Sequence, residues 1–305
     1  MKNFEESKTQ ERSNKLMKKF ENDQHIIYQG DAIEILHNNI KDESIDLIFV
    51  DPPYNIGKNF NGRKDSWKHD EDYLKWCYQW IDLLLKKLKK SASLYIMTST
   101  QFISYFDIYL RDKIEIMSRI VWSYDSSGVQ AKKHYGSMYE PLLFCVNDKK
   151  NYTFNSKDIL VEAKTGSKRK LIDYRKNPPQ PYNTKKVPGN VWNFPRVRYR
   201  MAEYENHPSQ KPIALLERII KASTNEGDMI LDPFSGTFTT SYVAKRLNRN
   251  SIGIEIDEDY SKIGVRRVLE QFKLNGEDLR PEPKTYQIKN TKQLKLFEKA
   301  GIYEA

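Results

Sequence analysis

Residues 45–54 read IDLIFVDPPY. The apolar run Ile45–Val50 predicts a buried strand, which delivers Asp51-Pro52-Pro53-Tyr54 to its carboxyl end. Two prolines fix the backbone of this turn and remove N–H donors, so its carbonyl oxygens stay free to accept hydrogen bonds. A carboxylate, the carbonyl of Pro52 and the aromatic face of Tyr54 together suit the exocyclic amino group of a planar base. The alternative is an ordinary strand-to-loop turn with a buried tyrosine.

This turn has the chemistry that methyl transfer to an amine requires. Hydrogen bonds to both amino protons, from Asp51 and Pro52, favour a pyramidal nitrogen whose lone pair points at an electrophile. The polar stretch Asn55–Phe60 continues the loop beyond the turn.

Further short apolar runs alternate with helical patterns along the chain. This alternation predicts an α/β protein with a mainly parallel sheet and helices on both faces. Ligands of such sheets bind beyond the carboxyl ends of the strands. The predicted strands are Ser93–Thr98, Ile120–Tyr124, Pro141–Val146, Asp228–Leu231 and Ser251–Ile256, and the predicted helices are Asp72–Lys90, Ile213–Ser223 and Thr240–Leu247.

A second motif follows the predicted strand Asp228–Leu231. Residues 232–240 read DPFSGTFTT, which predicts a glycine turn and then a helix N-terminus, a combination that favours a carboxylate or phosphate. Glu255 ends the next strand, where a carboxylate accepts hydrogen bonds from ribose hydroxyls. The pair indicates an adenosine-containing cofactor, although the Gly-x-Gly-x-x-Gly dinucleotide fingerprint is missing. A plain helix-capping turn is the alternative.

The basic residues of the chain are concentrated in one segment. The 305 residues include 51 Lys and Arg against 41 Asp and Glu, a formal net charge of +10. Residues 164–200 hold eleven of these cations against Asp173 alone, interleaved with Tyr174, Tyr182, Trp192, Phe194 and Tyr199. Such a pattern is typical of surfaces that neutralise phosphates and stack on bases, although a solvated loop is the alternative.

Composition excludes several classes of protein. The two cysteines, Cys77 and Cys145, make neither a disulfide framework nor a zinc cluster, and both are expected in the core. The charged start of the chain lacks the apolar core of a signal peptide, and no stretch approaches the roughly 18 apolar residues of a membrane span. We therefore expect a folded cytoplasmic protein without a membrane partner and without a metal.

Together the motifs resemble the S-adenosylmethionine-dependent amino-methyltransferases of DNA, whose signatures are (Asp/Asn/Ser)-Pro-Pro-(Tyr/Phe/Trp) and a glycine-turn cofactor motif. The order of catalytic motif, basic segment and cofactor motif is that of the β class, which implies a permuted Rossmann-like fold with a loop-rich basic insertion for target recognition. Gly30-Asp31-Ala32 is similar to the adenine-binding turn of the family, and residues 207–212 (HPSQKP) to the block before its cofactor strand.

A closer resemblance, over roughly residues 25–270, is to the YhdJ-type orphan adenine methyltransferases. Its blocks are residues 51–60, 120–130 and 132–141. It implies a site-specific DNA adenine-N6 methyltransferase, acting by base flipping and direct in-line transfer, with the palindrome ATGCAT as the associated target. Asp51 at the first motif position favours adenine. Cytosine N4 in DNA, adenine in RNA, and a non-catalytic DNA-binding module remain alternatives, the last because Phe238 replaces the small residue usual in the turn.

The resemblance also implies roles for individual residues. Phe238 either narrows the methionine pocket or points into the seam between sheet and helix. Simpler structural roles remain open, since Asp31 could cap a helix, Lys211 could be a surface lysine and Phe234 could pack. The predicted sites are catalytic Asp51, Pro52, Pro53 and Tyr54; cofactor-binding Asp31, Ala32, Lys211, Asp232, Pro233, Phe234, Ser235, Gly236, Thr237, Thr239, Glu255 and Ile256; and DNA-binding Lys132, Lys133, Lys168, Arg169, Lys170, Arg175, Lys185, Lys186, Arg196 and Arg198.

The predicted organisation has four parts: a charged N-terminal extension at 1–24, a catalytic domain at 25–130 and 205–272, a target-recognition region at 131–204, and a C-terminal extension at 273–305. The expected partner is double-stranded DNA. A palindromic target suits a homodimer or a monomer that methylates each strand in turn, and the sequence leaves both a restriction endonuclease partner and its absence open.

Overall fold

The computed structural model describes residues 17–125, 132–163 and 171–269. Predictions for Lys168, Arg169, Lys170 and the C-terminal extension lie outside these ranges. The strands are β1 (Lys18–Glu21), β2 (His25–Gln29), β3 (Ile45–Val50), β4 (Asn59–Phe60), β5 (Arg63–Lys64), β6 (Leu88–Met97), β7 (Glu115–Ser123), β8 (Tyr139–Val146), β9 (Val161–Glu162), β10 (Ile172–Asp173), β11 (Gln180–Pro181), β12 (Lys185–Lys186), β13 (Val191–Asn193), β14 (Met229–Asp232) and β15 (Asn250–Glu255). The α-helices are α1 (Ala32–Asn38), α2 (Asp70–Lys87), α3 (Ile103–Arg111), α4 (Ile213–Ser223), α5 (Thr239–Arg246) and α6 (Glu258–Gly264), and short 3-10 and π segments lie at Ser156–Ile159 and Val265–Leu269.

One nine-stranded sheet organises the described residues, in the order β1-β2-β15-β14-β3-β6-β8-β7-β13. Strands β2, β15, β14, β3 and β6 are mutually parallel. β8 is antiparallel to both β6 and β7, and β13 joins the edge parallel to β7. Strands β14 and β15, late in the chain, thus insert between β2 and β3, which is the permuted arrangement expected from the motif order.

Residues of β3 alternate between the two faces of the sheet. Ile48 and Val50 pack into a core with α1, α2 and α3, whereas Leu47 and Phe49 pack into a second core with α4 and α5. All four side chains are at most 2% exposed, as expected for a strand covered on both faces. The predicted α/β class with helices on both faces is confirmed.

The predicted helix Asp72–Lys90 ends earlier than its periodicity indicates. α2 stops at Lys87, and Leu88 has extended backbone and begins β6 without an intervening loop. Leu88 fits the helical spacing of α2, but its register partner is Ile45 of β3. Pairing in the sheet therefore overrides the apolar periodicity at this junction.

The predicted domain boundaries do not follow the sheet. β8 lies inside the predicted target-recognition region, yet it occupies the middle of the sheet between β6 and β7, and β13 lies at its edge. β1 lies inside the predicted N-terminal extension but pairs with β2. The described part of this region also contains two pairs of two-residue strands, β10 with β11 and β9 with β12.

The two cysteines are buried and free, as predicted. Burial raises the pKa of Cys145 to about 12 and raises that of Cys77 as well, so both thiols stay protonated and poorly nucleophilic at neutral pH. Among the helices of the described ranges, none has the length and apolar character needed to cross a membrane.

Candidate active site

A cleft of about 670 Å³ opens at the carboxyl ends of the parallel strands, and the two sequence motifs face each other across it. The turn Asp51–Tyr54, called the catalytic turn below, follows β3. Residues 232–240, called the cofactor turn, begin at the end of β14, which is the immediate neighbour of β3 in the sheet. Every predicted catalytic and cofactor-binding residue lines this cleft. Its volume lies within the usual range of small-molecule sites, about 300–1,000 Å³.

Asp51 is the centre of a polar cluster in the catalytic turn. The Tyr54 hydroxyl donates to Asp51 Oδ1 at 2.5 Å, and Lys211 Nζ lies 2.5 Å from Oδ2. The same tyrosine hydroxyl lies 3.2 Å from Glu140 Oε2, and Lys211 Nζ lies 3.6 Å from that oxygen. Two carboxylates therefore share one ammonium group and one phenol.

The charges of this cluster shift one another. Burial raises the pKa of Asp51, opposed by the charge of Lys211 and assisted by that of Glu140. Burial lowers the pKa of Lys211, but Asp51 and Glu140 outweigh it, so the net shift is upward and Lys211 stays charged. Burial and the two carboxylates raise the pKa of Tyr54 well above its ordinary value, so the phenol remains a donor.

The two prolines use their carbonyls differently. Tyr73 donates from its hydroxyl to Pro53 O at 2.8 Å, which anchors the turn to α2. Within the described ranges, no protein donor reaches the carbonyl of Pro52, which stays available to a ligand. The available carbonyl, that of Pro52, is therefore the one predicted from the sequence to accept from the amino group of the base.

The polar loop beyond Tyr54 is folded by Asp65, which is 5% exposed. Its carboxylate accepts from the backbone N–H of Tyr54 at 3.1 Å and from that of Lys58, and its carbonyl accepts from Gly57 N at 3.0 Å. Asp65 thereby brings the loop back beside the catalytic turn.

The cofactor turn is held by its own acidic residues. Asp232 accepts from the backbone N–H of Phe234 at 3.1 Å and from the Thr240 hydroxyl at 2.5 Å. Glu255 accepts from the N–H groups of Gly236 and Asp257, both at 2.8 Å. Burial raises the pKa of both carboxyls to about 7.

Gly236 is required by its surroundings. Its φ is +51°, in the left-handed region that favours glycine, and an added Cβ would lie 3.1 Å from His207 Nε2. Burial, assisted by Lys211 and Lys58, lowers the pKa of His207 to about 3, so the imidazole is neutral. His207 Nδ1 accepts from Ser209 N at 3.2 Å, which leaves the ring proton on Nε2, beside the cofactor turn.

Phe238 points away from the cleft. It is fully buried and packs with Ile27 and Val268, between Gly253 of β15 and Gly264 of α6. Of the two sequence-based alternatives, the structure places the ring in the seam between sheet and helix. The Phe238 ring therefore does not narrow the predicted methionine pocket.

Several predicted cofactor residues also have structural roles. Asp31 is the N-cap of α1, accepting from Ile33 N at 2.9 Å and Glu34 N at 3.1 Å. Phe234 packs against Trp76 and Trp80 with ring centroids 5.6 and 5.4 Å apart. Lys211 is not a surface lysine, because its side chain is 7% exposed and faces Asp51.

The predicted DNA-binding cations lie mostly at the surface. Lys132, Lys133, Lys185 and Lys186 are exposed. Arg175 is engaged in a two-point ion pair with Asp173, at 2.8 and 3.0 Å, and Arg198 donates to the carbonyl of Asp125 at 2.8 Å. Arg196 alone among these described cations lines the cleft, with its guanidinium 5.0 Å from the Tyr124 ring.

Two aromatic residues of the basic segment are not available for base stacking. Trp192 is buried, Phe194 packs beside it in the core, and the Arg218 guanidinium lies 5.3 and 4.5 Å from their rings. Tyr174 and Tyr199 are 79% and 59% exposed, as stacking on a base requires.

Sequence reasoning missed Glu140, Asp65 and Tyr124. Glu140 carried a signal, since a carboxylate precedes the apolar run Pro141–Val146 and so reaches a strand end. Tyr124 lies in the resemblance block 120–130 but was given no role, since its partner Glu140 is sixteen residues away. Asp65 had no signal, because the backbone N–H of Tyr54 that it binds is eleven residues away.

Comparisons with known proteins agree with this geometry. A DNA adenine methyltransferase of Escherichia coli, YhdJ, is 61% identical over 250 residues, which cover 82% of this chain and 84% of the relative. The type II methyltransferase M.HpaI of Haemophilus parainfluenzae is 36% identical over 84% of this chain and 77% of its own length.

Solved structures are similar as well. The M1.HpyAVI–SAM complex matches with a TM-score of 0.53 and 28% identity, over 79% of this chain and 98% of that one. The cytosine-N4-specific PvuII DNA methyltransferase matches in fold with a TM-score of 0.62 and 18% identity, over 84% and 88%. The sequence model of the N6/N4 DNA methylase family spans residues 45–266, which include both motif turns, and the chain belongs to that family.

Proposed function

We propose that this protein transfers a methyl group from S-adenosylmethionine to the N6 amino group of adenine in a short sequence of double-stranded DNA. The observation that carries the proposal is the meeting of the Asp51–Tyr54 turn and the Asp232–Gly236 turn in one cleft, from neighbouring strands. The identity of 61% to a DNA adenine methyltransferase supports adenine as the base.

The cleft suits an adenosine-containing cofactor. Glu255 presents a carboxylate at a strand end, and Gly236 brings backbone close to the cleft where any Cβ would crowd His207. We assign the ribose to Glu255, and the adenine to Asp31 and Ala32 with Ile256 nearby. The methionine end is assigned to Asp232, Phe234, Gly236 and Thr239. The bound cofactor supplies the electrophilic methyl group.

The residues of the catalytic turn hold the base. Asp51 and the carbonyl of Pro52 accept the two amino protons, which orients the nitrogen lone pair, and Tyr54 stacks on the flipped base. An exocyclic amine is itself the nucleophile, so no covalent enzyme intermediate is required. The ion pair between Lys211 and Asp51 leads us to assign Lys211 to this turn rather than to the methionine end that the sequence suggested.

The basic residues supply the contacts to DNA. Lys132, Lys133, Lys185 and Lys186 are exposed, as phosphate contacts require, and Arg196 lies at the cleft where a flipped nucleotide enters. We keep ATGCAT as the predicted target. A DNA substrate in a bacterial or phage context makes the cytoplasm the proposed compartment.

The test is a methylation assay with sequencing. Purified protein is incubated with S-adenosylmethionine and unmethylated genomic DNA, and modified bases are read by single-molecule sequencing. Asp51→Ala serves as the inactive control, and Asp112→Ala, an exposed position after α3, serves as the matched active one. N6-methyladenine in one short motif, absent with Asp51→Ala, is the expected result.

Other outcomes point elsewhere. N4-methylcytosine would keep the family and overturn the base. Absence of DNA modification with intact cofactor binding would favour RNA, and absence of cofactor binding would favour a non-catalytic DNA-binding module.

A further inference from the structure

Glu140 occupies a position that the proposed reaction has not used. It is the second residue of β8, its side chain is 17% exposed, and it lines the cleft beside the catalytic turn. The rest of β8 beyond it is apolar and buried. Burying a carboxylate costs free energy unless hydrogen bonds or opposite charges compensate. The groups that contact Glu140 therefore indicate its role.

Three polar groups surround this carboxylate, each from a different segment. The Tyr54 hydroxyl after β3 lies 3.2 Å away, the Tyr124 hydroxyl after β7 lies 3.4 Å away, and Lys211 Nζ before α4 lies 3.6 Å away. Glu140 therefore ties together the aromatic ring and the ammonium that contact Asp51.

The carboxylate also affects the charge of Asp51. Tyr54 and Lys211 contact Asp51 directly. The other charged groups that line the cleft with it include Glu140, Asp232, Lys58 and Arg196. Glu140 and Asp51 carry like charges and share the ammonium group of Lys211. The charge of Glu140 therefore raises the pKa of Asp51.

We infer that Glu140 is a positioning residue for methyl transfer, which holds Tyr54 and Lys211 so that Asp51 and the tyrosine ring meet the target base in reactive geometry. It acts through these two side chains and does not touch the base itself. The inference rests on the proposed methyltransferase function.

Two variants separate the position of the carboxylate from its charge. Glu140→Gln keeps the size of the side chain and one acceptor but removes the charge. Glu140→Asp keeps the charge but withdraws it by one methylene. Glu115→Gln is the matched control, a glutamate that begins β7, pairs with Lys149 at 3.2 Å and lies outside the residues lining the cleft.

The readouts are kcat, KM for a duplex target, cofactor affinity, and the pH profile of kcat/KM. We expect Glu140→Gln to lower kcat by about 10- to 100-fold, the loss typical of a misplaced reacting group. Cofactor affinity should stay within about twofold, because the cofactor turn is held by other residues. The acid limb of the pH profile should move to lower pH, since the like charge beside Asp51 is gone.

We expect Glu140→Asp to lower kcat with the acid limb unmoved, and Glu115→Gln to match the wild type. An unchanged kcat in both Glu140 variants would overturn the inference, as would a loss of kcat in Glu140→Gln with an unmoved acid limb, because a purely structural strut would give that result. If the wild type methylates neither base, the proposed function itself has failed, which is distinct from failure of the inference.

Discussion

Lys211 Nζ lies 2.5 Å from Asp51 Oδ2, although 159 residues separate the two in the sequence. The ion pair joins the end of β3 to the segment that starts α4, on the face of the sheet opposite α2. Because both side chains are largely buried, neither charge is well hydrated, and each depends on the other for compensation.

Lys211→Met should abolish most activity and lower stability. Removing the ammonium leaves Asp51 and Glu140 as uncompensated buried carboxylates, which costs about 3–5 kcal/mol when such a pair is broken. We expect a fall of at least about 100-fold in kcat/KM, about 2.7 kcal/mol by the conversion between rate and free energy. Lys221→Met, which removes a half-exposed ion pair with Glu217 on α4, is the control and should cost no more than about 1 kcal/mol of unfolding free energy. Equal effects of the two changes in denaturant unfolding would contradict the assignment.

Cofactor affinity should increase with pH through about 7. Burial raises the pKa of Glu255 from 4.5 to about 7 in the folded protein. The protonated carboxyl therefore contributes folding stability to the unliganded protein that is fully present below pH 4.5 and is lost as the pH rises through about 7. Binding has the opposite sign, because ribose hydroxyls donate to the ionised carboxylate. We expect about tenfold weaker binding at pH 6 than at pH 8 by calorimetry. Glu255→Gln should weaken binding and flatten this dependence, and any remaining slope belongs to Asp232. A steep, unchanged slope in the variant would refute the role of Glu255.

Gly236→Ala should impair cofactor binding. The left-handed φ costs a non-glycine residue about 1 kcal/mol, and the added Cβ would meet His207 at 3.1 Å. Gly62→Ala is the matched control, because Gly62 also has a positive φ but no atom within 4 Å of the added Cβ. We expect the control to share the loss of stability in thermal unfolding but to keep cofactor affinity. Equal affinities in both variants would mean that the turn does not approach the cofactor.

Gly253→Ala should destabilise the fold by overpacking the seam behind the cofactor turn. Its Cβ would lie 2.6 Å from the Phe238 ring and 2.8 Å from Ser235 Oγ, and overpacking of this kind costs about 1–3 kcal/mol. Gly189→Ala, where the added Cβ meets open space, should change the unfolding free energy by less than about 0.5 kcal/mol. Gly253→Ala combined with Phe238→Leu should recover part of the loss in chemical denaturation, and no recovery would show that the ring is not the obstacle.

Lys185 and Lys186 should contribute to DNA affinity without reading sequence. Their double change to Ala should weaken binding uniformly across sequences and reduce the slope of log affinity against log salt by about 0.9 for each phosphate that the variant no longer neutralises. Lys113→Ala is the control, because Lys113 is paired with Asp82 at 2.7 Å outside the basic segment. Unchanged slopes would exclude β12 from the DNA interface.

The parts that sequence predicted best are those where pattern and tertiary pairing agree. Ile45–Val50 and Ile213–Ser223 have the predicted bounds, because an apolar run or a helical stripe is also what the sheet and its cover need. Both motif turns were identified from the strands before them. Leu88 was misread because it satisfies the helical period of α2 and the register of β6 at once.

The cluster around Asp51 was only partly predictable. Tyr54 lies three residues from Asp51, whereas Glu140 and Lys211 reach it through the folding of distant segments. The stacking role suggested for Trp192 failed for a related reason, since β13 joins the sheet edge and carries that side chain into the core. No local pattern specifies which strand an edge segment will join.

The insertion of β14 and β15 between β2 and β3 also means that the sheet is closed by a late part of the chain. On the ribosome, β2 and β3 emerge early but have no hydrogen-bonded contact with each other in the finished sheet. They are bridged only when residues 229–255 have left the exit tunnel, so a nascent or prematurely terminated chain carries the catalytic turn on a divided sheet. Because both motif turns border one cleft, the cleft is complete only when the sheet is complete.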